Sequence, residues 1–269
     1  MRVCAVKRKE CFSPNSVEKD TAILLAVVEA VRNKGHEVTC VDEDSNLLKC
    51  YGKQADVTPL FDVWLSMGRS KSTLDVLKRE QSLGAKVLNS AWGVETCQRN
   101  LLQRLMVENG IPVADGKGND GYWVKRADMA AISHDDVVFA PTLEAVSETV
   151  ERFAKRGITQ TVVQPHIVGD VVKFYGVQGT GFFRIFYPGD DGQTKFGDET
   201  MNGVPHHYDF TTNSLQKDAE LLSRLTQVPI YGGDCVVQPS GEYKIIDFND
   251  WPSFSRCRHE AAQAIASLI

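Results

Sequence analysis

The sequence predicts an α/β domain built on a parallel sheet, followed by a mixed α+β region. In the first ninety residues, short apolar runs alternate with segments of helical periodicity, a pattern typical of right-handed βαβ units. After about residue 160, apolar runs follow one another across tight turns, which favours antiparallel strands. The total of 269 residues is enough for one large domain or two modest ones.

The first domain is predicted to contain four strands and two helices. Apolar spacing predicts a helix over 20–34 that ends at Gly35, and another over 73–83 that stops at Gly84. The loop 7–19 follows the first strand, and ligands in open α/β sheets bind beyond the carboxyl ends of strands. This loop is therefore either a substrate wall or an ordinary surface loop. The predicted strands are Val3–Val6, His36–Val41, Phe61–Leu65 and Lys86–Leu88.

The remaining residues predict further helices over 95–109, 143–156 and 215–226, and a final Ala-rich helix. The polar region 188–213 is longer than most structureless loops, so it is either mobile or a lid over a site. The predicted strands of this part are Tyr122–Lys125, Thr161–Ile167, Val171–Gln178, Phe182–Tyr187, and the hairpin strands Asp234–Val237 and Tyr243–Phe248.

Composition excludes several classes of protein. With 30 Lys and Arg against 35 Asp and Glu, the net charge is −5, which argues against nucleic acid as the main partner. No stretch approaches the roughly 20 apolar residues that a membrane helix needs. The seven cysteines are scattered without a Cys-x-x-Cys pair, which argues against a disulfide framework or a structural zinc site. These features, with a strand-like start that does not resemble a signal peptide, predict a cytoplasmic protein.

The hairpin near the end of the chain carries polar oxygen donors at the tips of apolar strands. Strand alternation places Asp247 and Asn249 on one face, and Asp234 lies on the partner strand. Mg²⁺ prefers carboxylate and phosphate oxygens, so the three residues indicate a magnesium site. Ordinary turns and strand caps are the alternative explanation.

Two lysines within apolar strands also indicate a binding site. Lys125 ends one strand and Lys173 lies inside another, where a charge is costly to bury without a counter-charge. Lysines that reach solvent from an edge strand are the alternative. Together with an acidic cluster, two such lysines are typical of a site for a metal-bound triphosphate.

Three stretches in order resemble the ATP-grasp superfamily. The resemblance covers about residues 89–269, and the implied fold is two α+β subdomains that clasp ATP, preceded by a small open parallel α/β domain. It implies domains over 1–90 and 91–269, the second divided into 91–160 and 161–269. The stretches are 89–112 with Gln98-Arg99 and Gly110-Ile111-Pro112, then Val124-Lys125 with 162–170 and Lys173, and then Gly233-Asp234 with 246–252.

The resemblance implies ATP and one or two Mg²⁺ ions as cofactors. It implies that Arg99 and Lys125 contact the phosphates and that Asp170 lies near the ribose. The superfamily often has Lys where Arg99 stands, which keeps the charge but changes the geometry. The implied adenine linker is Gln164, Pro165, His166 and Ile167, and the implied metal ligands are Asp234, Asp247 and Asn249.

Within the superfamily, the stretch 126–134 is similar to the inositol 1,3,4-trisphosphate 5/6-kinase branch. It lacks the glycines that are usual in the ligases and ends in Ser133-His134, although it is one residue shorter and has Arg after Lys125. By this resemblance His134 touches the transferred phosphate or the acceptor, and Lys173 with Arg184 holds phosphate groups. A solvated loop histidine is the alternative for His134.

The expected reaction is transfer of the ATP γ-phosphoryl group to an oxygen of a small anionic or polyol substrate, best matched by an inositol-phosphate or polyol kinase. An ATP-dependent carboxylate–amine ligase is the alternative, and a non-catalytic ATP-binding module is a third hypothesis. Ser253, Arg256 and Arg258 open the final helix and form a candidate anion site for the substrate. Arginines on a solvated helix face are the alternative. Oligomeric state is not predicted.

Overall fold

The computed structural model describes residues 1–51, 58–114, 116–127, 131, 133–191 and 201–269. The strands are β1 Arg2–Lys7, β2 Glu37–Asp42, β3 Val63–Ser66, β4 Lys86–Leu88, β5 Tyr122–Arg126, β6 Val137–Ala140, β7 Thr161–Pro165, β8 Asp170–Val177, β9 Phe182–Phe186, β10 Ile230–Val237 and β11 Tyr243–Asp250. The helices are α1 Val17–Asn33, α2 Asn46–Tyr51, α3 Lys71–Ser82, α4 Ala91–Thr96, α5 Arg99–Glu108, α6 Leu143–Lys155, α7 Pro188–Asp191, α8 Thr212–Thr226 and α9 Arg258–Ala266. Among the helices formed by these residues, none is long and apolar enough to cross a membrane.

The first domain contains a four-stranded parallel sheet in the order β2-β1-β3-β4. The central strand β1 is buried from Val3 to Val6. Parallel sheets are covered on both faces, and their central strands are therefore apolar without interruption. Ile23, Val27 and Val31 of α1 are buried in the same core as β1 and β3, as their helical spacing predicts. The predicted parallel sheet is confirmed.

Two antiparallel sheets form the rest of the molecule. One has the order β6-β5-β7, with α6 packed on it, and the other has the order β11-β10-β8-β9. The short strand β6 was not predicted from the sequence. The single helix predicted over 95–109 is instead α4 and α5, because Gln98 has an extended backbone that ends one helix and precedes the next.

The two ends of the chain pack together. Helix α9 lies against α1, and residues of both belong to one buried cluster. Asn89 also joins the first domain to the β10 sheet, since its amide donates to the Ile230 carbonyl at 2.8 Å and accepts from the Ile230 N–H at 2.9 Å. The final helix therefore packs on the domain that begins the chain, and the boundary near residue 90 stays a prediction.

Candidate active site

A cleft of about 620 Å³ lies where the loops of the first domain meet both antiparallel sheets. Its volume is in the range of small-molecule sites, which is about 300–1,000 Å³. Most of the predicted site residues line it, although they come from six separate elements and the segments between them. Those residues are Arg99, Lys125, Gln164, Pro165, His166, Ile167, Lys173, Asp234, Asp247, Asn249, Ser253 and Arg256.

The proposed metal ligands lie in a row across neighbouring strands. Asp234 on β10 is directly opposite Lys173 on β8 and Asp247 on β11. The Lys173 ammonium donates to Asp234 at 2.7 Å, and the Asn249 amide donates to Asp247 at 3.1 Å. A Cβ on Gly233 would lie 2.3 Å from the Asp247 carbonyl, so the close approach of the two strands requires glycine. The predicted same-face placement of Asp247 and Asn249 agrees with this contact.

This donor set is small. Among the residues that the structure describes, no three His, Cys, Asp or Glu side chains form a group able to hold a metal ion. The candidate ligands are instead the two carboxylates of Asp234 and Asp247 and the amide of Asn249. Such a set fits Mg²⁺, which commonly takes one or two protein carboxylates and completes its coordination with phosphate and water oxygens.

Positive charge surrounds the Asp247 carboxylate. Burial by itself raises the pKa of this carboxyl, but the charges of Arg99 and Lys125, the hydrogen bond from Asn249 and the charge of Lys173 together outweigh it, and the pKa is lowered. The Arg99 guanidinium lies 4.0 Å from the carboxylate, and the Lys125 ammonium donates to the Ile246 carbonyl at 3.1 Å. Asp247 is therefore ionised at neutral pH, as a metal ligand must be.

The cationic end of the cleft also holds an unsatisfied donor. Arg99 donates from Nη1 to the Arg126 carbonyl at 2.9 Å. Its Nε is buried and has no hydrogen-bond partner within the described part of the chain. A buried donor without an acceptor is costly, and a phosphate oxygen is the type of acceptor that a guanidinium prefers.

Another part of the cleft wall is formed by the segment that leaves β7. Gln164 is only 5% exposed, lines the cleft, and has a buried Oε1 with no donor among the described residues. The Trp123 indole N–H donates to Nδ1 of His166 at 3.0 Å, and burial lowers the pKa of His166. The Asn202 amide donates to the carbonyls of Ile167 and Gly169 at 2.9 and 2.7 Å. Trp123 and Asn202 line the cleft but were not predicted, because neither belongs to a recognisable pattern.

The Asp170 carboxylate is held by backbone donors. It is buried outside the described lining of the cleft and accepts from the backbone N–H groups of His206 and Tyr208 at 2.7 and 2.9 Å. These bonds hold the segment after residue 201 against β8, and the expected position of Asp170 near a ribose stays a prediction. Of the predicted lid over 188–213, residues 192–200 lie outside the described residues.

Three other predicted residues also lie outside the described lining. Arg184 forms an ion pair with Glu260 of α9 and stacks over the Phe182 ring at 5.1 Å, so the charge expected to hold phosphate is used between β9 and α9. His134 is exposed in a short 3-10 helix, and Arg258 begins α9. Strand period places a side chain on one of two faces but does not tell which face meets the cleft, so the phosphate-binding role of Arg184 stays a prediction.

A buried ionic network closes the end of the cleft nearest the first domain. Arg8 donates to Asp20 at 3.1 Å and to Asp250 at 3.5 Å, and Arg69 donates from Nε to Asp250 at 3.3 Å. Arg8 also donates to the carbonyls of Met67 and Trp251. The network joins the loops after β1 and β3 to the last residue of β11. It was not predicted, since its members are far apart along the chain.

Solved structures with the same architecture identify the fold of this protein. A D-alanine–D-alanine ligase from Bacillus anthracis superposes with a TM-score of 0.66 at 10% identity, covering 99% of this chain and 96% of that one. A RimK-domain ATP-grasp protein from Sphaerobacter thermophilus gives 0.65 at 17% identity, covering 100% and 99%. This protein has the ATP-grasp fold.

The similarity extends to an ATP-grasp ligase that was solved with a peptide. The ATP-grasp ligase PsnB, bound to the precursor peptide PsnA2 and AMPPNP, gives a TM-score of 0.62 at 14% identity, covering 99% of this chain and 96% of that one. No protein-family model and no curated protein sequence matches the chain. At these identities the superpositions establish the ATP-grasp fold.

Proposed function

We propose that this protein is an ATP- and Mg²⁺-dependent ligase that joins a carboxylic acid to an amine through an acyl phosphate. One observation carries the proposal: a single cleft collects the carboxylates of Asp234 and Asp247 and the cations of Arg99, Lys125 and Lys173. Positively charged groups around a two-carboxylate metal site are the arrangement that phosphoryl transfer requires.

Two buried polar atoms without partners support one orientation of the nucleotide. Adenine lies against the segment Gln164–Ile167, where the buried Gln164 Oε1 accepts from the 6-amino group. The phosphates lie towards Arg99, whose buried Nε needs an acceptor. Asp234, Asp247 and Asn249 would hold Mg²⁺, which would neutralise charge on the phosphates. Structures of the B. anthracis ligase with ATP and of PsnB with Mg and ADP support both ligands.

The reaction has two steps. In the first, a carboxylate oxygen of the acid attacks the γ-phosphorus, the bond from that phosphorus to the ADP oxygen breaks, and ADP leaves. In the second, the amine nitrogen attacks the acyl carbon and loses a proton to solvent, and inorganic phosphate leaves. Lys125, Lys173 and Arg99 orient the phosphates and stabilise the charge that develops on them.

The structure favours a ligase over the kinase that the sequence suggested. The kinase interpretation depended on the Gly-free stretch that ends in Ser133-His134, and His134 does not lie in the described lining of the cleft. The Gly-free stretch 126–134 remains its main support, but residues 128–130 and 132 lie outside the described residues. The similar solved structures named above include two enzymes called ligases.

The decisive experiment is incubation with Mg-ATP and a mixed pool of carboxylic acids, amines and polyols, followed by identification of the products. ADP, free phosphate and a new amide support the ligase. A new phosphate ester shows a kinase instead, and ATP binding without ADP formation shows a binding module. Asp247→Asn is expected to abolish ADP formation, whereas Asp75→Asn, at an exposed carboxylate on α3, is the matched control.

A further inference from the structure

The Tyr175 side chain lines the cleft beside the proposed metal ligands. It lies on the same face of β8 as Lys173, since side chains two residues apart on a strand share a face. Across the sheet, Tyr175 is directly opposite Gly232 of β10, and Gly232 is directly opposite Asn249 of β11. Tyr175 and Asn249 therefore belong to one row across the sheet, next to the row that holds the two carboxylate ligands.

The Tyr175 ring is fixed by packing. The residue is only 6% exposed, and its ring centroid lies 5.3 Å from that of Phe254 and 5.9 Å from that of Phe186. A Cβ on Gly232 would lie 2.9 Å from Cδ1 of Tyr175, so glycine at this position lets the ring approach β10. A ring held by such contacts loses little side-chain freedom when its hydroxyl binds a ligand.

The Tyr175 hydroxyl has no hydrogen-bond partner among the described residues. Its oxygen is not fully enclosed by protein atoms, so an acceptor in the cleft can reach it. Arg184, which is opposite Tyr175 on β9, forms its ion pair with Glu260 instead. The hydroxyl is therefore a fixed donor at the edge of the metal site that the folded chain itself does not use.

The hydroxyl keeps its proton in these surroundings. Burial is the main cause that raises the pKa of Tyr175 to about 12. The charges of Lys173 and Asp234, which pair with each other at 2.7 Å, act on this pKa in opposite directions. Cys257 and Arg256 also act in opposite directions. Tyr175 is therefore a neutral hydrogen-bond donor at neutral pH.

A neutral donor beside the metal site suits one atom of the proposed intermediate. The phosphate end of an acyl phosphate is matched by the cations and the metal ligands, whereas its carbonyl oxygen needs a separate donor. When the amine nitrogen bonds to the acyl carbon, the electron pair of the C=O double bond moves to this oxygen. The pair returns when the C=O bond forms again and phosphate leaves. A donor fixed at this oxygen binds it more strongly in the transition state than before the attack, which raises the rate.

We propose that the Tyr175 hydroxyl donates a hydrogen bond to the carbonyl oxygen of the acyl phosphate and stabilises the negative charge that forms there when the amine attacks. This inference rests on the ligase function proposed above and adds a catalytic residue to it. Tyr175 keeps its proton throughout, and the proton of the amine goes to solvent.

The test measures the binding of two phosphonates to the protein saturated with Mg²⁺ and ADP. Acetonylphosphonate has the shape of acetyl phosphate, with a carbonyl oxygen and a phosphate-like end, and propylphosphonate lacks the carbonyl oxygen. Calorimetric titration gives the ratio of the two dissociation constants. Tyr175→Phe removes only the hydroxyl, so the preference for acetonylphosphonate should fall by about fivefold, the effect of one hydrogen bond, while Mg-ADP binds as in the native protein.

Tyr231→Phe is the matched control, because Tyr231 on β10 is 1% exposed and lies outside the described lining of the cleft. It should retain the native ratio. In turnover, Tyr175→Phe should lower kcat for amide formation by roughly 100-fold, as the loss of one donor to a developing oxyanion predicts. A merely structural role of the hydroxyl would change Tm and leave the ratio unchanged.

An unchanged ratio in Tyr175→Phe, an equal fall in Tyr231→Phe, or no binding of either phosphonate overturns the inference. The ligase function is judged separately, from the products of the native protein. Amide formation with an unchanged ratio overturns only the inference. A ratio that falls as expected, without amide formation by the native protein, overturns only the ligase.

Discussion

Replacing Asp250 by alanine removes the carboxylate that joins Arg8 and Arg69 at the end of β11. The side chains of Arg8 and Asp250 are 7% and 4% exposed, so water does not replace the lost partner. Arg69 loses its Nε bond of 3.3 Å to this carboxylate. The variant therefore leaves two guanidinium groups beside each other without the charge that separated them.

The expected loss follows from the burial of the pair. Removing one partner of a buried ion pair costs about 3–5 kcal/mol. Arg8 keeps Asp20 and the carbonyls of Met67 and Trp251, so we expect a value near the lower end, about 3 kcal/mol. For chains of roughly this size, 1 kcal/mol shifts Tm by about 2–4 °C, so the midpoint should fall by about 6–12 °C.

The assay is thermal unfolding of Asp250→Ala and Asp75→Ala side by side. Asp75 pairs with Lys71 at 3.7 Å on the surface, with the two side chains 55% and 90% exposed. Exposed pairs of this kind contribute about 0–1 kcal/mol, so the control should unfold within about 4 °C of the native protein. Equal Tm values for the two variants would refute the conclusion that the ionic network stabilises the packing of the first domain against the end of β11.

Three further predictions concern the cleft. Gly233→Ala places a Cβ 2.3 Å from the Asp247 carbonyl and 2.4 Å from the Phe174 ring. The substitution should therefore weaken Mg-nucleotide binding and lower the free energy of unfolding by about 1–3 kcal/mol. Unchanged Mg-nucleotide binding in calorimetry contradicts this prediction. Burial lowers the pKa of His166 below 6.5, so the unfolded chain takes up this proton at higher pH than the folded chain does. The stability that His166 contributes is therefore complete above pH 6.5 and is lost as the pH falls through its folded pKa. The free energy of urea unfolding between about pH 5 and pH 7 should depend less on pH in His166→Gln. The same pH dependence in both proteins excludes the effect. Gln164→Met removes the buried Oε1 acceptor and should reduce the preference for ATP over GTP, measured by Trp fluorescence; a retained preference shows that other groups read the base.

Patterns of short range predicted much of the molecule. The alternation of apolar runs predicted the parallel sheet, because βαβ units repeat within about 40 residues. The spacing of Asp247 and Asn249 predicted that they share a face, since strand side chains alternate, and their 3.1 Å contact agrees. Cytoplasmic location and the domain boundary near residue 90 stay predictions.

Two predicted site residues make contacts that the local pattern does not contain. The sequence predicts that Arg184 holds phosphate groups. In the structure its guanidinium forms an ion pair with Glu260 of α9. The sequence predicts that Asp170, which follows the adenine linker, lies near the ribose. In the structure its carboxylate accepts from two backbone N–H groups of a distant segment. In both cases the partner lies on an element packed by tertiary structure.

The sequence by itself determined the order of the elements and the kinds of charged group that the cleft contains, because hydrophobic period and residue chemistry act over a few neighbouring positions. Only the tertiary structure decided which of those groups meet. Arg8, Arg69 and Asp250 are brought together by the packing of the first domain on β11, across chain separations of 242 and 181 residues. The burial that makes their pairing strong exists only once the first domain has packed on β11.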